Sequence, residues 1–119
     1  MSDIRQIGSE GENRASSYLE NNGYEILHRN FRLRDGEIDI VASRDDFIVF
    51  VEVKTLPGGN AEILAHELNK IKQKKIIKTA KRYLQKYRQY SNKLVRFDVL
   101  ALDVPGLDPV YHIENAFLE

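Results

Sequence analysis

Gly36 to Thr55 reads GEIDIVASRDDFIVFVEVKT, two apolar strands that both carry charge. Asp39 lies in the first, and Glu52 and Lys54 lie in the second. Burying charge among Ile38, Ile40, Val49, Phe50, Val51 and Val53 is costly unless the charges are paired or hold a metal. A hairpin built only to pack would carry Val or Thr at those positions. Alternate strand residues share a face, so Glu52 goes with Lys54 and Glu37 with Asp39. With Arg44-Asp45-Asp46-Phe47 as the loop, closed by Ser43 and Ile48, Asp39 stands directly across from Glu52. Opposed Cβ atoms lie about 4.5–5.5 Å apart, close enough for both carboxylates to reach one divalent ion. Without a cation the two would repel, and a slip of one residue would send them to opposite faces. Two carboxylates and a lysine are the smallest set that can hold Mg²⁺ and hydrolyse a phosphodiester. A structural ion pair of Lys54 with Glu52 or Asp39 fits the same residues equally well.

The charge of the remaining chain points the same way. Acidic and basic residues balance over the 119 residues, but they are segregated. Between His66 and Phe97 stand Lys70, Lys72, Lys74, Lys75, Lys78, Lys81, Arg82, Lys86, Arg88, Lys93 and Arg96, with Glu67 the one acid. So many like charges repel one another unless a polyanion offsets them, whereas three or four would read as a solvated helix face. The absence of cysteine excludes disulfides and thiolate metal sites. The apolar runs fall far short of the ~20 residues that span a bilayer, so no membrane partner is expected. The N-terminal MSDIRQIGSEGENR has no apolar stretch of a signal peptide, which makes a cytoplasmic location the expectation. The length suits a single domain over residues 1–119 with one modest core.

The element pattern is helix, three-strand meander, helix, strand. A first helix is expected from Ser9, where Ser9 and Glu12 fit a capping box, to Asn21-Asn22-Gly23. Strands follow over about Glu25–Arg32, Glu37–Ser43 and Phe47–Lys54. Pro57-Gly58-Gly59-Asn60 forms a loop directly after Lys54. One long helix should start in the Glu62–Leu68 region and end near Tyr90. Leu68, Ile71, Ile76, Ile77, Ala80, Tyr83, Leu84 and Tyr87 would form its buried stripe. Arg96–Leu102 is a fourth strand, parallel to the third because a helix connects them, and Val110–Ile113 is a short last segment. The fold class is therefore α/β, a mixed central sheet flanked by helices. His28, His66 and His112 show no metal spacing, and His28 and His112 read as strand or turn residues.

This order of elements, with Asp39 followed by Glu-x-Lys at Glu52 and Lys54, resembles the PD-(D/E)xK restriction-endonuclease-like superfamily. GEGENRASSYLENNGYEILHRNFRLRDGEIDIVA, FVEVKT, KQKKIIKTAKRYL, RFDVLAL and HIENAF narrow the likeness to the YraN-type family of predicted endonucleases, relatives of archaeal Holliday-junction resolvases. The resemblance runs from Gly8 to Phe117. It implies a restriction-endonuclease-like core and a nuclease-like domain over residues 1–119. It implies Asp39 and Glu52 as ligands of Mg²⁺ or Mn²⁺, with the carbonyl of Val53 completing the shell. Lys54 would orient or activate the attacking water or stabilise charge on the phosphorane. Glu12 matches a first-helix glutamate that can add a metal contact, an alternative to its capping role. Glu37 would support the ligands from beside them. Lys72 and Gln73 match a basic-helix pattern that could hold substrate phosphate, within a nucleic-acid surface of Lys70, Lys72, Gln73, Lys74, Lys75 and Lys78. Leu56 departs from the pattern, since members often carry Arg after Lys-Thr, and a phosphate contact is lost there.

The expected function is a metal-dependent endonuclease hydrolysing DNA phosphodiester bonds, on branched or single-stranded forms. Two alternatives use the same basic helix: a non-catalytic nucleic-acid binder, and a protein-interaction module that docks on an acidic surface. A homodimer would suit two-strand cutting, with Ala116-Phe117-Leu118 as a candidate contact.

Overall fold

The computed structural model describes residues 4–118, with side chains from Ser9 onward; Met1–Asp3 of the N-terminal segment and Glu119 lie outside that range. Helix α1 spans Ile4–Asn21 and leads into strands β1 (Glu25–Leu33), β2 (Gly36–Arg44) and β3 (Phe47–Thr55). Helices α2 (Ala61–Glu67) and α3 (Lys70–Lys86) and a 3₁₀ turn at Arg88–Tyr90 carry the chain to β4 (Leu94–Leu102) and β5 (Val110–Phe117). The five strands form one sheet in the order β1-β2-β3-β4-β5, antiparallel except for the parallel β3–β4 pair. That pair is the crossover product expected from the sequence. The α/β architecture is a mixed five-stranded sheet with three α-helices among the described residues. No helix among these residues is long and apolar enough to cross a membrane.

The two faces of the sheet are covered differently. Ala15 and Leu19 of α1 pack on Ile40, Ala42, Val49, Val51 and Leu100. On the opposite face Ile76, Ala80 and Tyr83 of α3 pack on Phe31, Ile38, Val41, Ile48, Phe50 and Phe97. Strand β3 alternates cleanly, with Ile48 and Phe50 toward α3 and Val49 and Val51 toward α1. Strand β2 does not. Ile40 and Ala42 face α1 and Val41 faces α3, as period two requires, yet Ile38 also packs on the α3 side. The alternation breaks at Asp39. The matching place in β1 is Asn30, between the pairs Arg29–Ile40 and Phe31–Ile38, and Asn30 adopts a left-handed φ of 55°. Asparagine tolerates that conformation better than most residues.

Several expectations need correcting. Helix α1 is already running at Ser9, so Ser9 and Glu12 form no capping box. At Gly11 within it a Cβ would meet Thr55 Oγ1 at 2.9 Å, and the bare backbone lets α1 lie close to β3. The single long helix is two. The Asn69 side chain accepts from the Lys72 amide at 3.0 Å and starts α3 afresh. The break lets Leu64 of α2 pack on Ala101 and Val104 while α3 covers the larger cluster. It also turns Ile71 outward, to 71% exposure, rather than into the buried stripe. The hairpin keeps the expected register, but Arg44 pairs with Phe47, so the loop shortens to Asp45-Asp46. Strand β5 runs on to Phe117, which stacks on Phe97 in the core, leaving Leu118 as the exposed large apolar residue of the proposed dimer contact.

Helix α3 is seated by a missing atom. A Cβ on Gly36 would come 2.2 Å from Thr79 Oγ1, whose hydroxyl donates to the Lys75 carbonyl at 2.8 Å. Gly36→Ala is expected to cost about 1–3 kcal/mol in urea unfolding, as overpacking does. Adding Thr79→Ala should recover part of that loss. Strictly additive effects would show that the two sites do not touch.

Candidate active site

The hairpin register puts Asp39 at the position across from Glu52, just beyond the last ladder pair, Ile40–Val51. The Asp39 carboxylate accepts from the Val53 amide at 2.8 Å. The structure thus brings Val53 to Asp39 through its N–H, whereas the resemblance implies a role for its carbonyl. Glu52 is 8% exposed, on the α3 side of β3. A carboxylate so placed needs counter-charge. It has two cations: Lys72 Nζ at 3.0 Å and Lys54 Nζ at 3.8 Å from Glu52 Oε1. The closer of them comes from α3, which the Asn69 break delivers to this spot. Glu52, Lys72 and Lys75 line a cleft of about 430 Å³ together with Asp35, Gly36, Glu37, Asn69, Ile71 and Ile76.

The acids in this region are not balanced one by one. Burial pushes the Asp39 carboxyl up, the negative charge of Glu52 pushes it further, and Glu12 and Glu37 add to the effect. The Val53 amide pulls it back, but the result is an acid raised from 3.8 to about 7. Lys54 is lowered from its ordinary value, first by burial and then by the neighbouring Lys72. Lys72 is also penalised by burial, but its contacts with Lys54 and Glu52 outweigh this and raise it. Two lysines facing one carboxylate cannot both hold a full charge cheaply, and Lys54 is the one that holds its proton loosely.

The other expected residues divide. Glu12 reaches from α1 to accept from Asn30 Nδ2 at 2.9 Å and lies 3.6 Å from Arg29. Glu37 sits at the cleft lip with Arg32 at 3.2 Å. Gln73 is turned away from the cleft: its Nε2 donates to the Leu68 carbonyl at 2.7 Å and closes the end of α2. Lys70 and Lys74 are exposed, and Lys78 pairs with Asp35 at 3.0 Å. Tyr83 is core, in an aromatic cluster with Phe31, Phe50 and Tyr87. Among the described residues no three His, Asp or Glu side chains already surround one point as a metal centre would need.

One polar cluster was not anticipated. Asp98, fully buried on the α1 side, receives Arg96 at 2.9 and 2.8 Å, His112 Nε2 at 2.6 Å and the Asn115 amide at 3.0 Å. Arg96 also donates to the Tyr24 hydroxyl, and His112 Nδ1 lies 3.3 Å from the Tyr18 hydroxyl. Burial alone would raise Asp98, but these bonds hold its carboxyl below the usual range. The sequence signal was present in RFDVLAL, where Arg96 and Asp98 share a face of an otherwise apolar strand.

Residues 11–102 match the uncharacterised protein family UPF0102. The chain belongs to this family. It is 46% identical to a UPF0102 protein of Geobacter metallireducens over 114 residues, covering 95% of this chain and 93% of the relative. A UPF0102 protein of Treponema pallidum (strain Nichols) is 48% identical over 118 residues, covering 93% and 91%. One from Clostridium botulinum (strain 657) is 44% identical over 116 residues, covering 95% and 94%. The YraN-type likeness of the sequence is thus a family membership over most of the chain.

In this UPF0102 protein, Asp39 ties stability to pH. Its folded value lies above its unfolded one, so its contribution is whole below about pH 4 and is lost as pH rises through about 7. Asp39→Asn is expected to be more stable than wild type at pH 8 by about 1–3 kcal/mol in urea unfolding. The gain should shrink as pH falls toward 4. A gain independent of pH would show that Asp39 is not the strained group.

Proposed function

We propose that the chain is a divalent-metal-dependent endonuclease that hydrolyses DNA phosphodiester bonds on a restriction-endonuclease-like core. The observation that carries this reading is the register that sets Asp39 across from Glu52, whose buried carboxylate opens on a cleft lined by Lys72 and Lys75. Asp39 has the Val53 amide as its donor and the carboxylates of Glu52, Glu12 and Glu37 around it, an oxygen-rich donor set that fits the divalent cation the resemblance implies.

Asp39 and Glu52 would hold Mg²⁺ or Mn²⁺, with Glu12 and the Val53 carbonyl as further oxygen donors. The bound metal supplies a more acidic water and neutralises charge on the phosphate. The remaining work belongs to the chain. Lys54, 3.8 Å from Glu52 on the same strand, can orient the attacking water or offset charge on the phosphorane. Lys72 and Lys75 can orient a phosphate in the cleft, and the exposed basic residues of α3 extend the same potential along the strand. Phosphate contacts of this kind carry little sequence information, so recognition is of DNA form, with branched and single-stranded DNA as the forms to compare. A non-catalytic binder on the same basic helix is the second reading. It is favoured by the Glu52–Lys72 contact and by the lack, among the described residues, of a preassembled three-ligand centre.

Linear, single-stranded and four-way-junction DNA incubated with wild type and Asp39→Ala in Mg²⁺ or Mn²⁺ separates the two. Wild type should yield metal-dependent products, and Asp39→Ala should lose at least about a hundredfold in rate with an unchanged circular dichroism spectrum. A fully active Asp39→Ala would sink the assignment. Salt-sensitive binding by wild type with no products in any metal would favour the binder.

A further inference from the structure

Glu52 can be buried only because cations face it, and the nearer one is not its strand neighbour. Lys54 sits two residues along β3, yet it stands 3.8 Å away, while Lys72 of α3 makes the 3.0 Å contact. Lys72 is also a wall of the cleft, as is Lys75 one helical turn on. It therefore has two possible partners, Glu52 beneath it and whatever anion fills the cleft. A long, flexible ammonium side chain can exchange between them by rotamer changes alone.

We propose that Lys72 is an exchangeable counter-ion: it neutralises Glu52 while the acid pair holds no divalent cation, and passes to a DNA phosphate in the cleft when one binds. This inference rests on the metal-dependent reading above. A divalent ion at Asp39 and Glu52 brings two positive charges to a carboxylate that already faces two ammonium groups. The electrostatic cost falls if one ammonium leaves, and Lys72 is the one that opens onto the cleft. Lys72 competes with the metal when the cleft is empty and supports it when phosphate is present. Metal and DNA then raise each other's affinity, as linkage requires of any group both ligands displace from the same contact. Lys72 acts as a positioning residue for both ligands.

The test compares wild type with Lys72→Met, Lys72→Arg and Lys75→Met. Mn²⁺ is titrated by calorimetry, with and without a phosphorothioate four-way junction, which keeps its charge and resists hydrolysis. Without DNA, Lys72→Met should bind Mn²⁺ about tenfold more tightly than wild type, and Lys72→Arg should stay near wild type. The junction should tighten Mn²⁺ binding to wild type at least about fivefold and have little effect on Lys72→Met. Lys75→Met, which lies in the cleft without touching Glu52, should weaken DNA binding with Mn²⁺ affinity unchanged. Equal Mn²⁺ affinity of wild type and Lys72→Met, each folded by circular dichroism, would overturn the exchange and leave the metal site standing. No Mn²⁺ uptake by wild type, with or without DNA, would overturn the metal-dependent reading and this inference with it.

Discussion

The parallel pairing of β3 with β4 is the constraint on which the candidate site depends. Nine consecutive pairs, from Phe47–Leu94 to Thr55–Leu102, join strands that run the same way. Such strands cannot be linked by a tight turn; the chain must return across a face of the sheet. The return is α2 and α3, and it crosses the face onto which Glu52 projects. A basic helix is thereby laid over an acidic strand position, and Lys72 arrives from far along the chain to meet Glu52. The acids come from local hairpin geometry and the base from long-range topology. Neither half is a site without the other.

Two aspartates show how differently one fold can treat the same side chain. Asp98 is completely enclosed, and every direction around it supplies a donor: a guanidinium, an imidazole and an amide. It ties β4 to β5 and through Arg96 and His112 to Tyr24 and Tyr18. That is a settled account, and it reads as architecture. Asp39 is less buried yet worse provided for, with one amide and a surround of carboxylates. The imbalance between a charge and its partners is the better guide to where a protein keeps a task unfinished.

Most of the sheet was legible because its signals are local. The places of the first four strands, the hairpin register and the position of Asp39 across from Glu52 follow from alternation and a short polar loop, whereas the continuation of β5 to Phe117 does not. The parallel fourth strand follows from the helix before it. What escaped was set by contacts distant in sequence. Helical periodicity from Leu68 to Tyr87 is unbroken on paper, but the two helices cover separate patches and Asn69 starts the second of them. Ser9 has the chemistry of a cap, but α1 continues past it. Gln73 looked like a phosphate ligand until the break created a helix end for it to close. The acids of the site could be read from pattern, whereas the role of Lys72 needed the fold.

The irregularities at the two ends of the sheet have a consequence for the molecule in a crowded solution. An open five-stranded sheet offers unpaired backbone along β1 and β5, and a straight edge invites another chain to add itself. Here each outer strand is interrupted. The β1 ladder shifts between Ile26 and His28, with Asn30 left-handed just beyond; the β4–β5 ladder shifts near Phe97–Val99, with Asn115 left-handed at a φ of 53°. A bent rim cannot template a long run of hydrogen bonds. The same asparagine that bends β1 also holds Glu12, so one residue both blunts an edge against aggregation and fixes an acid near Asp39.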